Sequence, residues 1–137
     1  MPFWSWPSDY PDECPPSRAL PANGVFYRIV KSDPPWAEDF TSTYHRQRSR
    51  TEQLIKSGRL TQCVAMGMSV WADVGDAVRM ARQLPRIGDL IAQITLVEDS
   101  GKILPIHGSY ASHHTWWVVR DYAPETLVTA VIPVGTK

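Results

Sequence analysis

The order of strand-like and helix-like segments is the feature that most constrains how this chain can fold. Short β-branched or aromatic runs between turn residues are typical of strands, whereas apolar residues spaced three and four apart indicate a helix. One apolar stripe with this spacing follows Asp73, which is a predicted N-cap. The stripe consists of Val74, Ala77, Val78, Ala81 and Leu84. Strands are predicted at residues 25–31, 63–71, 90–98, 102–106 and 129–134, helices at 47–57 and 74–84, and a helical turn at 123–128. This order predicts an α+β fold, with central antiparallel or mixed β-sheets and two to three helices.

The N-terminal segment, residues 1–24, differs in composition from the rest of the chain. It holds six of the twelve prolines together with Trp4, Trp6 and Tyr10. Proline favours an extended, non-helical backbone, while the aromatic rings favour burial. We therefore expect an arm packed across its own domain in preference to a tail that docks on a partner. The remaining residues, 25–137, are enough for one hydrophobic core, which predicts a single domain.

Charge and cysteine content narrow the classes of function. Fourteen basic residues balance fourteen acidic ones, so no overall field attracts nucleic acid or an anionic membrane. Nucleic acid is disfavoured as a partner and would need a local basic patch. Cys14 and Cys63 lie far apart, and Cys14 falls in the proline-rich arm, so we predict neither a disulfide framework nor a zinc element. The N-terminus lacks the pattern of a secretory signal, and no apolar run approaches membrane-spanning length. The sequence predicts a soluble, cytoplasmic protein with no membrane contact.

Three arginines alternate with other residues in the segment YHRQRSR, namely Arg46, Arg48 and Arg50. In a loop or strand they could hold phosphates, but on a helix they spread around the axis. We favour a solvated surface for this segment.

Two adjacent histidines and two adjacent tryptophans occur in the segment SYASHHTWWVVRD, residues 109–121. His107, His113 and His114 are candidate metal ligands by residue type. In a strand, however, residues 113 and 114 point to opposite faces, and no nearby Cys, Asp or Glu completes a ligand set, so we predict no metal site. For Trp116 and Trp117 the residue pattern also allows one core and one surface aromatic. The chain contains no P-loop, dinucleotide-binding glycine pattern, nucleophile elbow or zinc-protease motif.

A set of short motifs resembles the ADP-ribosyltransferase superfamily, in particular its toxin-like Arg-Ser-Glu group. The motifs are Tyr27-Arg28 in the first domain strand, the loop DPPWAEDF, the run Met68-Ser69-Val70, and Asp76-Ala77 just beyond. The resemblance implies an ADP-ribosyltransferase-like fold with NAD as cofactor. It implies that Arg28 holds a phosphate of NAD and that Ser69 supports the nicotinamide pocket or orients the catalytic residue. Tyr27 and Trp71 complete the predicted cofactor-binding set.

The family's glutamate stabilises an oxocarbenium-like transition state, and by position it falls in the segment after residue 112. This chain has His113, His114 and Thr115 there, with no Glu-x-Glu or Gln-x-Glu. A neutral imidazole can accept a hydrogen bond from a ribose hydroxyl but lacks the fixed negative charge. The predicted catalytic residues are therefore His113 and His114, acting on the ribose or as general acid and base. Because adjacent strand residues point to opposite faces, the register of the strand decides which of the two histidines faces inward. The tryptophans are predicted to form walls of the pocket.

Two classes of function remain open at this point. The first is a nucleotide-dependent enzyme, a transferase or NAD glycohydrolase with histidine in place of glutamate. The second is a non-catalytic protein-binding module, such as an immunity or regulatory protein, that uses tryptophan-rich surfaces. The first requires Arg28, Ser69 and one histidine to converge in one concave pocket. The second requires Trp4, Trp6, Trp36 or Trp116 to form an exposed patch.

Overall fold

The computed structural model describes residues 4–106 and 110–135, and its central feature is one seven-stranded sheet. Every neighbouring pair of strands in it is antiparallel. Their order across the sheet is β1-β5-β6-β3-β2-β4-β7. The strands are β1 (Leu20–Pro21), β2 (Gly24–Val30), β3 (Met68–Trp71), β4 (Leu90–Leu96), β5 (Gly101–Pro105), β6 (His113–Val118) and β7 (Val128–Pro133).

Helices occupy the connections before and after β3. They are α1 (Thr43–Arg46), α2 (Arg48–Lys56), α3 (Gln62–Met66) and α4 (Val74–Gln83), with 3₁₀ turns at Ala37–Phe40, Glu98–Ser100 and Pro124–Leu127. The α+β prediction is confirmed, but the described residues form four α-helices where two to three were expected. The predicted N-cap is confirmed as well, because the Asp73 carboxylate accepts a hydrogen bond from the Gly75 amide at 2.7 Å.

The segment 63–71 contradicts the prediction of one continuous strand. Its first half is helix α3, which begins after Thr61, whose hydroxyl accepts a hydrogen bond from the Val64 amide at 3.2 Å. Only the second half is the strand β3. Gly67 separates the two and lies so close to the side chains of Thr115 and Trp117 that a Cβ atom would collide with them. A glycine at this position thus allows the backbone to approach these side chains closely.

The sheet buries apolar side chains on both faces. On one face Phe26, Val30, Ile94 and Trp116 belong to the largest core cluster. On the other face Ile29 and Ile91 pack against α4 through Ala77 and Ala81, which belong to the predicted apolar stripe. Alternation along each strand produces this division, because successive side chains point to opposite sides.

The strands β2 and β3 are joined at a single residue pair, Tyr27 with Trp71, whereas β2 pairs with β4 along its whole length. The two strands therefore diverge from this pair and leave an opening in the middle of the sheet. Arg28 follows the pair on β2, and Ser69 precedes it on β3. This divergence places both side chains at the opening.

The arm packs across its own domain, as expected. Trp6 stacks between Trp4 and Tyr10, and the indole nitrogen of Trp4 donates a hydrogen bond to the Glu98 carbonyl at 2.9 Å. Further along, β1 pairs with β5. The arm thus continues the sheet at one edge.

A disulfide between Cys14 and Cys63 ties the arm to α3. The prediction of no disulfide framework is wrong, since distance along the sequence does not exclude contact between two segments that fold onto each other. Cys14 is buried beside Trp117, whose indole nitrogen donates to the Cys63 carbonyl at 2.8 Å. Because disulfides persist mainly in oxidising compartments, the bond argues against the predicted cytoplasmic location. Within the described residues, no helix is both long and apolar enough to cross a membrane.

Candidate functional site

A cavity of about 260 Å³ opens where β2 and β3 diverge, and Arg28, Ser69 and His113 all line it. These residues come from three adjacent strands, β2, β3 and β6. The remaining lining residues are Ile29, Thr41, Thr43, Arg46, Met68, Trp71, Met80, Leu84 and Ile87. The structure therefore brings the predicted arginine, serine and one histidine to one concave pocket.

Arg28 is the buried cation of this site, with only 6% of its surface exposed. Its guanidinium donates three hydrogen bonds, all to backbone carbonyls. Nε donates to Asp39 at 2.9 Å, Nη1 to Ser69 at 2.9 Å, and Nη2 to Thr41 at 3.1 Å. A guanidinium has five N–H groups, so one on each terminal nitrogen is left for a ligand.

The partners of Arg28 are neutral carbonyl oxygens, which satisfy its donors without cancelling its charge. Among the described residues Arg28 forms no salt bridge, and the nearby Asp39 carboxylate instead accepts hydrogen bonds from the amides of Lys31 and Trp36. The pKa of Arg28 is lowered to about 9, mainly by burial and also by the nearby charge of Arg46, while the charge of Asp39 opposes the shift. An anion entering the cavity would relieve this penalty.

His113 and Ser69 form a hydrogen-bonded pair in the lining of the cavity. His113 Nδ1 lies 2.9 Å from the Ile106 carbonyl, and Nε2 lies 2.9 Å from Ser69 Oγ. A carbonyl can only accept, so Nδ1 carries the proton, and Nε2 of the neutral ring accepts from the Ser69 hydroxyl. Burial lowers the pKa of His113, with a further lowering from His114 and an opposing effect of the Ile106 carbonyl. The geometry is that of a base held in one tautomer by a third group.

His114 lies on the opposite face of β6 from His113 and does not line the cavity. Its ring packs edge-on against Phe26 with centroids 4.8 Å apart, and Nδ1 lies 2.7 Å from the Ser112 carbonyl. Of the two predicted catalytic histidines, only His113 therefore faces the cavity, because adjacent residues of a strand point to opposite faces. His107, the third histidine of this segment, lies outside the described residues.

Of the two aromatic residues predicted to bind the cofactor, only Trp71 lies at the cavity, and Tyr27 does not. Trp71 lines the cavity and packs against the His113 ring with centroids 5.4 Å apart. Tyr27 packs instead among the side chains between the sheet and α4. Trp116 and Trp117 are both fully buried and neither lines the cavity, so the expectations of one surface aromatic and of two pocket walls are wrong.

The exposed tryptophan patch that the protein-binding alternative requires is not found among the described residues. Trp116 is buried in the core, and Trp4 and Trp6 are half-buried within the arm. Trp36 has 55% of its surface exposed, the largest exposure among the large apolar side chains of the described residues after Leu20. A single exposed indole beside a cavity suits a ligand better than a broad protein interface.

Two residues of the site were missed by sequence reasoning. Arg46 lines the cavity, although its cluster was interpreted as a solvated surface. The buried Asp76 carboxylate accepts hydrogen bonds from the Ser112 amide at 3.1 Å and its hydroxyl at 2.7 Å, and it pairs with Arg79. Asp76 thereby fixes the chain immediately before His113. Asp76 belongs to the motif set of the resemblance, but no local signal in the sequence indicates a partner 36 residues away.

Among the described residues, no group of three or more His, Cys, Asp or Glu side chains could hold a metal ion. The same part of the chain contributes no carboxylate to the cavity lining. The polar groups of the described lining come from two arginines, three hydroxyl residues, an imidazole and an indole. Comparisons of the chain with protein-family models, with curated proteins and with solved structures gave no match.

Proposed function

We propose that the cavity binds NAD and that the protein is an ADP-ribosyltransferase-like domain. The observation that carries this proposal is the convergence of Arg28, Ser69 and His113 in one cavity, from three strands in the order that the motif resemblance requires. A chance set of motif residues would be scattered over the fold.

The pyrophosphate of NAD suits the two arginines of the cavity. Arg28 offers two free N–H groups from a buried and rigidly held guanidinium, and Arg46 adds a second cation from α1. Charge-assisted hydrogen bonds from guanidinium to phosphate are the strong ones. Rigid positioning also lowers the entropy lost when the ligand is bound.

The nicotinamide riboside end then lies toward Ser69, His113 and Trp71. A cavity of about 260 Å³ is small for a complete dinucleotide, so the adenosine end must extend beyond it. A neighbouring cavity of about 390 Å³ shares Thr41, Arg46 and Ile87 with the first and includes Lys31 and Trp36 in its lining. We assign the adenosine end to this second cavity, where the exposed indole of Trp36 offers a stacking surface.

The step that this arrangement can support is hydrolysis of the bond between nicotinamide and ribose. The C1′–N bond breaks, nicotinamide leaves with the bonding electrons, and a water oxygen bonds to C1′. The water proton passes to His113 Nε2, directly or through the Ser69 hydroxyl, to give ADP-ribose and nicotinamide. Because no carboxylate of the described residues lines the cavity, the developing cation lacks fixed negative charge, and turnover is expected to be slow compared with binding.

Calorimetric titration with NAD tests binding. We expect the parent to bind and Arg46→Gln to weaken binding at least tenfold, since a charge-assisted contact contributes about 1.5–3 kcal/mol. Arg48→Gln is the matched control, because Arg48 lies over the Tyr44 ring and pairs with Glu52 outside the cavity. Arg28→Ala should abolish binding, but it also removes three structural hydrogen bonds, so Arg46→Gln gives the cleaner result. If the parent shows no binding, the proposal fails and the protein-binding alternative remains.

Release of nicotinamide tests the chemical step. We expect slow release by the parent and none by His113→Asn, whereas His114→Asn, the adjacent residue on the opposite face, should keep the parent rate. Equal rates in both variants would show that His113 does not act on the ribose.

A cytoplasmic location stays a prediction, and it requires the Cys14–Cys63 bond to persist there.

A further inference from the structure

A groove of about 610 Å³ opens beside the proposed NAD cavity. It is distinct from the two cavities assigned to NAD and is not needed for that ligand. It lies between α2 and the segment that follows α4. Its lining includes Leu54 on α2 and residues 83–87. Four residues line both spaces, and they are Thr43, Arg46, Leu84 and Ile87. The groove is therefore continuous with the cavity that holds His113.

Three arginines line this groove, namely Arg46, Arg50 and Arg86, and no described acidic residue does. Each is exposed, and none takes part in the ion pairs found among residues 4–106 and 110–135. Arg48, the middle arginine of the cluster, is instead directed to Glu52 and Tyr44. In a chain with no net charge, this concentration of unpaired guanidinium groups produces a local positive field.

The remaining lining indicates the kind of anion that fits. Leu54, Leu84, Pro85 and Ile87 provide an apolar wall, and the volume is in the range of small-molecule sites. The described lining has no aromatic side chain on which successive bases could stack, which disfavours a nucleic acid strand. Guanidinium groups bind phosphate oxygens in a bidentate manner, so three of them suit a ligand with more than one phosphate.

We propose that this groove binds a second, phosphate-bearing small molecule of the nucleoside diphosphate class. Its phosphates contact Arg50 and Arg86, and its less polar part packs along the Leu54 and Leu84 wall. Arg46 stands at the boundary between the two ligands. The assignment of this groove does not depend on NAD binding, because Arg50 and Arg86 do not line the NAD cavity.

Titration with ADP and with inorganic pyrophosphate tests this site, with adenosine as the uncharged comparison. We expect both anions to bind the parent and adenosine to bind at least tenfold more weakly. The double variant Arg50→Gln/Arg86→Gln should lose at least tenfold in affinity for both anions while its affinity for NAD is unchanged. The matched control is Arg48→Gln/Arg59→Gln, which removes two exposed charges that do not line the groove.

Repeating the ADP titration on protein saturated with NAD separates two sites from one. Retained ADP binding supports the second site, whereas complete competition would assign the groove to NAD itself and overturn this inference. Unchanged ADP and pyrophosphate affinity in the double variant, or no binding of either anion by the parent, would also overturn it. If NAD does not bind but ADP binds in a manner that depends on Arg50 and Arg86, the groove stands and the proposed function fails.

Discussion

The bond between Cys14 and Cys63 should contribute a large part of the stability of this small domain. It closes a loop across a sequence separation of 49 residues, which includes β1, β2 and the helices α1 and α2. Reduction leaves the folded contacts of the arm in place but frees the unfolded chain from this constraint. The main expected effect is therefore on the free energy of unfolding.

The magnitude follows from loop-closure entropy. For a loop of this length the chain-entropy model gives about 4 kcal/mol at 25 °C, between the values of about 3 and 4.7 kcal/mol for loops of roughly 15 and 100 residues. For a domain of this size, a loss of that order lowers the melting temperature by about 10–15 °C. Reduction should not stabilise the folded state in compensation, because Cys14 is buried beside Trp117 and its free thiol would remain in an apolar site.

Scanning calorimetry of the oxidised protein with and without reductant measures the effect. The double variant Cys14→Ala/Cys63→Ala is the control, and its melting temperature should be low and insensitive to reductant. Thiol labelling of the unfolded, unreduced protein checks that the bond was formed in the sample. If a fully oxidised sample and a fully reduced one melt within about 3 °C of each other, the entropic reasoning is wrong for this chain.

Three further predictions concern the support of the site. Gly67→Ala should lower the free energy of unfolding by about 1–3 kcal/mol in denaturant titrations, because the added methyl group would collide with Thr115. Asp76→Asn should weaken the hydrogen bonds to Ser112, which are charge-assisted, and lower NAD affinity through the position of His113, as calorimetry would show. Burial lowers the pKa of His113 in the folded state, so near the unfolded-state pKa of about 6.5 the unfolded chain binds a proton that the folded chain does not. The free energy of unfolding should therefore fall as pH falls through about 6.5. NMR should show the Nδ1–H tautomer of His113 at neutral pH.

The elements that could be predicted from the sequence are those whose signals are local. The strand at residues 25–31 is observed as β2, and the stripe after Asp73 is observed as α4. In both, the period of the apolar residues and the flanking turn or cap residues agree. The break between the strands predicted at 90–98 and 102–106 is another example, since the 3₁₀ turn at Glu98–Ser100 separates β4 from β5, which do not pair with each other.

The failures come from short apolar runs and from contacts distant in sequence. Residues 63–66 have the composition of a strand, but Thr61 caps a helix there and Cys63 is held by the arm. Neither the disulfide nor the link between Asp76 and Ser112 leaves a trace in local composition. Arg46 is exposed, as predicted, but it also lines the cavity, which the pattern of one continuous helix does not indicate because the helix is interrupted at Gln47.

The candidate site depends on two features of the sheet, namely the register between β3 and β6 and the divergence of β2 from β3. Pairing of Trp71 with His113 fixes which histidine faces Trp71 and α4, so a shift of one residue would exchange His113 for His114. Divergence of β2 from β3 then creates the space that these side chains line. Pairing of the two strands along their full length would leave no such space between them. The motif residues are therefore informative only together with the opening between their strands, and a variant that closes this opening should lose NAD binding even with Arg28, Ser69 and His113 all present.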